Sequence, residues 1–463
     1  MPGRAHYIAA LTAVLVAAVA ARAANITEPA GAANADARAP MSNAAALVYD
    51  EEYPYIGYGS VPRHNRVARL QERLARGEVK LQFSAPRGYL DSLLKALDID
   101  PSSQTLVFSK TSLQFQSISP ATPRALYFND DTYVGWVPNT PVVEIATMDS
   151  ALGAVFYMVS NQQTQPPSFN RETSLCLSCH DTFSMKGGGV PRFLFLSAYR
   201  LQQDRVLTDS VAQETTDATP IGERWGGWYV TGDDGGLVHL GNILAGQTRA
   251  PLSLARVHRG DLVKLDALFD TGPYLTDRSD VVALLVFEHQ TYVHDLTIRS
   301  NYKARMFLQH EPPGDPDFDQ LSAQTQTRMK ALLEPLVRGL TFADAAPLPT
   351  RMASGSGFDR WFQARGPRDR RGRSLRDLDL THRLFRYPLS FLVEDAGIDG
   401  LPRSARQYVY RRLSEVLGAA AVPPGFEHLQ GTDRLAALQI LCATRADFAR
   451  SPEAAGACRA AGG

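Results

Sequence analysis

In the run "SLCLSCHDTF", cysteines at 176 and 179 are followed directly by His180, and no other residues in the chain are spaced so well for chemistry. Positions i, i+3 and i+4 of a helical turn share one face, so both thiols and the imidazole would project together. Two thiols and a histidine so placed can add across the vinyl groups of a porphyrin and ligate its iron from one side. This is the attachment chemistry of haem c. It needs His180 neutral, with its second ring nitrogen donating to a carbonyl. The run "KGGGVPRF" is the expected source, since Gly187 to Gly189 allow close backbone approach and Pro191 makes a rigid turn. Asn170, after "PPSF", is the expected N-cap of the turn. A thiol–disulfide redox pair would call for a thioredoxin-like βαβ pattern, and a zinc site for a fourth ligand. Neither is spaced for in this sequence.

One attachment motif makes the second axial ligand decisive. A strong ligand there suits outer-sphere electron transfer, whereas an open position suits binding or activating a small molecule. Met185 lies too close to His180 to reach over the porphyrin edge. His239 follows Trp225, Trp228 and Tyr229, aromatic residues of the kind that pack on a porphyrin, and is the expected iron ligand opposite His180. His289 shares a helical face with Val282, Val286, Val293 and Leu296, and His294 lines up with Phe287, Gln290 and Ile298. Both read first as core histidines and second as ligands, and the alternative of no distal ligand stays open.

Other chemistry is weaker. Glu288, Tyr292, Asp295 and Arg299 recur at helical spacing and read as a polar seam, with acid–base work by Glu288 or Arg299 only if that seam faced the haem. "ARGPRDRRGRSLR" holds six arginines against one aspartate, a solvated loop or a docking patch for an acidic redox partner. No Ser-His-Asp order, phosphate loop or metal-binding His-Glu cluster stands out.

The elements that must position these residues change along the chain. "RVARLQERLARGEV" and "LDSLLKALDI" are helical. From Thr105, "TLVFS", "LQFQSI", "RALYFND", "TYVGWVP", "VVEIATMD" and "AVFYMVS" are short, β-branched and aromatic, an antiparallel meander running into the cysteine motif. "GGWYVTGDDGGLVHLGN" reads as a hairpin turning on Asp233 to Gly236, with His239 on its second strand. Helices return in "RSDVVALLVFEHQTYVHDLTIRSNYKARMFLQ", "LSAQTQTRMKALLEPLVRGL" and "SARQYVYRRLSEVLG". The expected class is α+β, an antiparallel β-rich centre around a c-type haem helix with a mainly helical C-terminal part.

The expected organisation is a signal peptide over 1–23, cleaved after Ala23, then a disordered lead-in over 24–50. A β-rich haem-binding region with N-terminal helices follows over 51–250, then a mainly helical region over 251–450 and a loose tail over 451–463. No later segment is apolar for long enough to be an integral membrane span, so an exported, periplasmic protein is expected. Basic and acidic residues balance at 48 each, which argues against nucleic acid as a partner. In an oxidising compartment Cys442 and Cys458 are expected to form a disulfide.

The blocks "YFNDDTYVGWVP", "EIATMDSALGAVFY", "CLSCH", "ERWGGWYVTG" with "HLGN", "DVVALLVFEHQTYVHDLTIRSNY" and "LRDLDLTHRLFRYPLSFLV" resemble a group of exported bacterial proteins with one CxxCH motif, described as cytochrome c domain-containing proteins. The resemblance runs from about Tyr53 to about Ile440. It implies one covalent haem c on Cys176, Cys179 and His180, and carries no established reaction. Relatives often read His-Met where this chain has His239-Leu240, which weakens a methionine ligand there. The expected function is single-electron transfer by an exported monohaem c-type cytochrome with a redox partner protein. The alternative is a haem enzyme or small-ligand sensor, for peroxide or a diatomic gas, with an open distal position.

Overall fold

In the computed structural model, the residues described are 53–163, 167–181, 189–198, 213–243, 264–429 and 431–462. The expectations for the leader, the lead-in, Met185, Gly187 and Gly188 lie outside them. Two N-terminal helices come first, α1 (Arg66–Ala75) and α2 (Leu90–Ala96), where the apolar spacing placed them. Asn65 caps α1 by accepting from the Ala68 N–H and also bonds Asp149 and Tyr157, which ties the helix to the sheet.

The β-branched and aromatic segments then form strands β1 (Thr105–Val107), β2 (Arg124–Phe128), β3 (Thr132–Trp136), β4 (Val142–Asp149), β5 (Gly153–Ser160) and β6 (Phe169–Glu172). They pair antiparallel in chain order, and β9 (Trp228–Tyr229) adds beside β1, giving a seven-stranded sheet β6-β5-β4-β3-β2-β1-β9. A separate pair joins β7 (Leu196–Ser197) to β8 (Gln213–Glu214). Directly opposed residues share a face, so Phe128, Tyr133, Ala146 and Phe156 form one row across four strands.

The cysteine motif forms the one-turn helix α3 (Leu177–His180) just beyond edge strand β6. Across the row of rings lies α4 (Val281–Leu308), 28 residues without Gly or Pro, its N-terminus capped by Asp280 through the Val282 and Ala283 N–H groups. Residues from Val281 to Thr291 are all buried, so this half of α4 is a core element on every side. Phe287 stacks on Phe128 at 5.0 Å and on Tyr133 at 5.2 Å. At Gly153 any Cβ would come within 2.7 Å of Ile298, so glycine lets helix and sheet meet. Beyond α4 come α5 (Ala323–Leu340), α6 (Phe358–Gln363), α7 (Ala396–Asp399), α8 (Arg403–Gly418), α9 (Thr432–Thr444), α10 (Ala446–Arg450) and α11 (Ala455–Ala460). The chain is thus α+β, an antiparallel sheet followed by a mostly helical part. All described residues belong to one compact unit, Ala45–Gly463, and both regions feed one hydrophobic core.

Two strand expectations fail. "LQFQSI" forms turns, with the Phe115 N–H donating to the Ser112 carbonyl and the Ser117 N–H to that of Gln114, because Leu113 and Phe115 point outward and no partner strand is offered. The "GGWYVTGDDGGLVHLGN" hairpin has its turn, but among the described residues no second strand of the run pairs with β9. Asn242 stands in for one: its backbone N–H donates to the Trp228 carbonyl at 2.9 Å, and its side chain accepts from the Val230 N–H at 2.8 Å and donates to the Val230 carbonyl at 2.9 Å.

Cys442 on α9 and Cys458 on α11 form a disulfide that closes a 16-residue separation. Loop closure of that size contributes about 3 kcal/mol. Reduction is therefore expected to lower unfolding stability by that order, measured by denaturant titration with and without reductant. Thiol labelling of either cysteine in unfolded, unreduced protein would contradict the pairing.

Candidate functional site

Strand β6 delivers the chain to the sheet edge, and Asn170 is consumed there, paired with Met158. It is therefore not the cap of the cysteine turn. Glu172 takes that role: its carboxylate accepts from the Ser174 N–H at 2.8 Å, the Ser174 hydroxyl at 2.9 Å and the Leu175 N–H at 2.9 Å. Helical bonds follow, with the His180 N–H reaching the Cys176 carbonyl at 3.0 Å. This bond puts Cys176, Cys179 and His180 on one face, as their spacing requires. Leu177 is the buried anchor, while Leu175 is 55% exposed and Cys179 is exposed beside it.

The imidazole of His180 packs on Phe156 with ring centres 4.6 Å apart and remains half-buried. Its Nδ1–H donates to the Arg192 carbonyl at 2.8 Å, and this carbonyl belongs to the "KGGGVPRF" run. In return the Arg192 N–H reaches the His180 carbonyl at 3.1 Å, and the Gly189 N–H reaches Asp181 at 2.7 Å. Gly189 has φ 85°, a left-handed conformation that glycine adopts without strain. Burial pushes the His180 pKa down to about 4, opposed by the Arg192 carbonyl bond and assisted by the Arg124 and Arg192 charges. The ring is thus neutral, and the Nδ1 bond fixes the tautomer with the lone pair on Nε2. Nε2 has no hydrogen-bond partner among the described residues. Cys176 and Cys179 are free thiols. Burial, with Glu172 and Glu144 nearby, pushes the Cys176 thiol up to about 12, the opposite of the activated thiolate that a redox dithiol needs.

His239, Trp225 and Trp228 are elsewhere. His180 rests on β5, whereas Trp228 lies in β9, five strand steps away in the sheet order. That is about 24 Å along the sheet. Both nitrogens of His239 are engaged: Nε2 bonds Asp234 at 3.1 Å and Nδ1 accepts from the Gly241 N–H at 3.0 Å. Trp225 stands edge-on to that ring at 5.0 Å, and Trp228 stacks on Phe195 at 4.4 Å. The structure does not bring these three residues to His180. The reason is the missing hairpin partner, since the Asp233 turn folds back onto Ala353 instead.

The helix histidines are core residues. His294 Nδ1 accepts from the Tyr133 hydroxyl at 3.0 Å, and its Nε2 faces Asp395 at 3.7 Å. His289 completes an arrangement missed in the sequence, with Nδ1 on Asp217 at 2.8 Å and Nε2 on the Ser390 hydroxyl at 2.7 Å. The order of groups is that of a hydrolase triad. Yet Ser390 is 0% exposed and its oxygen caps the Leu392 N–H. A cavity of about 200 Å³ meets the Asp217 end, and neither Ser390 nor His289 lines it. The trio clamps two loops onto α4 and offers no reachable nucleophile.

The arginine-rich run from Ala364 to Arg376 also reads differently once folded. Arg365, Arg368, Arg373 and Arg376 pair with Asp98, Asp377, Asp369 and Asp130, so most of the positive charge is neutralised within the chain. Glu288 is buried and pairs with Arg224 at 2.9 Å. Comparison with family models, with curated proteins and with solved structures finds no match to this chain.

Burial raises the Glu288 carboxyl from 4.5 to about 7, opposed by Arg224 and Trp225. Because folding raises this pKa, its contribution to stability is greatest below the unfolded value and is lost as pH climbs to about 7. Glu288→Gln stays neutral at every pH and keeps an oxygen that accepts from Arg224, so it is expected to flatten the fall in melting temperature between pH 5 and pH 7. A variant with an unchanged slope would contradict this.

Proposed function

We propose that this chain is an exported c-type cytochrome that holds one haem through Cys176, Cys179 and His180 and passes single electrons to a redox partner protein. One observation carries the reading. The two free thiols share a face with a neutral imidazole whose Nδ1–H is committed to the Arg192 carbonyl, leaving Nε2 as a donor for iron. Bound there, the haem would supply the redox-active iron. The protein's part is to orient His180, to keep it unprotonated and to pack it on Phe156. The raised Cys176 pKa counts against thiol–disulfide exchange. Among the described residues no helix is long and apolar enough to cross a membrane, and export rests on the N-terminal sequence.

A second reading gains from the histidines. His239, His289 and His294 all hold protein partners, which favours a sixth iron position left for a small ligand such as a diatomic gas or peroxide.

Coexpression with cytochrome c maturation proteins is expected to give protein that keeps a haem stain through denaturing electrophoresis. Cys176→Ser with Cys179→Ser is expected to remove it, and a stain persisting in that double variant would sink the assignment. His239→Ala is expected to leave the absorption spectrum unchanged; a shift from low to high spin would restore His239 as the distal ligand. Carbon monoxide separates the two readings: an insensitive reduced spectrum supports the carrier, and a shifted one the ligand-binding haem.

A further inference from the structure

A second site lies away from the cysteine turn. A cleft of about 550 Å³ opens between the β2–β3 turn, the Gly366–Pro367 bend, the Phe391–Glu394 turn, α7 and the start of α10. This volume suits a small molecule. Six carboxylates and three arginines line it among the described residues. Most are paired: Arg66 with Asp131 at 2.8 Å, Arg376 with Asp130 at 2.6 Å, and Arg445 with Asp399 and Asp447.

What remains unpaired is specific. Arg376 is 5% exposed and lies over the Phe362 and Phe391 rings at 4.8 and 4.4 Å. Its Nε and Nη1 have no hydrogen-bond partner among the described residues. Gly366, φ 76°, provides its seat, because a Cβ there would come within 2.6 Å of Nε. Glu394, which lines the same cleft, keeps a buried Oε1 with no hydrogen-bond partner among the described residues. Asp395 bonds the Gly397 N–H and lies 3.7 Å from His294, with no arginine paired to it among the described residues.

We propose that this cleft binds a small zwitterion of amino-acid size, its carboxylate on Arg376 and its ammonium on Glu394 and Asp395. A buried guanidinium with unused N–H groups selects a carboxylate. The surplus of acidic groups turns away a bare anion, and Arg376 turns away a bare cation.

The test is isothermal titration of the full mature chain with a panel of free α-amino acids. Each is paired with its deaminated acid and its decarboxylated amine. At least one amino acid is expected to bind one-to-one, with both partial analogues at least ten-fold weaker. Glu394→Gln is expected to weaken that binding ten-fold or more while the haem stain and the circular dichroism spectrum stay as in the parent. Absence of heat and of any thermal shift across the panel would mean water alone fills the cleft and would overturn the proposal. Equal binding of the acid or the amine would overturn it as well. The heat of binding and the thermal shift do not pass through Cys176, Cys179 or His180, so this site and the haem site stand or fall separately.

Discussion

The hydrogen bond from His180 Nδ1 to the Arg192 carbonyl is the contact on which the functional arrangement depends. A one-turn helix at a sheet edge has little stability of its own, since nucleating helical turns is unfavourable without tertiary support. Here the support comes from the returning strap. Gly189 and Arg192 bond back to the turn, while the Phe193 N–H donates to Asp295 on α4 at 2.7 Å. The Phe193 ring packs on Tyr133 at 4.9 Å, in the row of rings that runs to Phe156 beneath His180. The imidazole is thereby referenced to the central sheet and α4.

That anchorage also decides the electrostatics. Desolvation keeps His180 neutral and Cys176 protonated, so the same burial that holds the turn sets both ionisation states. Cys179 and Leu175 stay exposed on the outer side, an asymmetry suited to a group attached at the surface and packed inward. Asp295 bears the electrostatic cost of the strap, since burial raises its carboxyl well above the usual range.

Much of the fold was legible because its signals are local. The apolar period and lack of breakers announced α4, and the β-branched segments announced β2 to β5. The cysteine turn was legible for the same reason, since i, i+3, i+4 spacing is a property of one turn. The carbonyl partner of His180 was legible to within a short run, "KGGGVPRF", in which Arg192 supplies the atom. His239 was expected opposite His180 and is instead held by Asp234 and Gly241, because a turn signal at Asp233 to Gly236 says nothing about which strand receives the chain. One residue, Asn242, bonds Trp228 through its backbone and Val230 through its side chain where a backbone ladder was expected. The Asp217–His289–Ser390 clamp and the Arg376 cleft had no local signal at all. Their members are separated by tens to hundreds of residues and meet only once α4 and the C-terminal helices have packed.

The central claim is that Cys176, Cys179 and His180 are a prearranged attachment site for one haem. Mass spectrometry of proteolytic peptides from the exported, mature protein addresses it without relying on colour or activity. The peptide from Glu172 to Lys186 contains all three residues and no other cysteine. Recovery of that peptide carrying one covalently bound haem is the expected result. Recovery of it with two free thiols, or with Cys176 and Cys179 joined as a disulfide, from cells with an intact maturation system would contradict the claim.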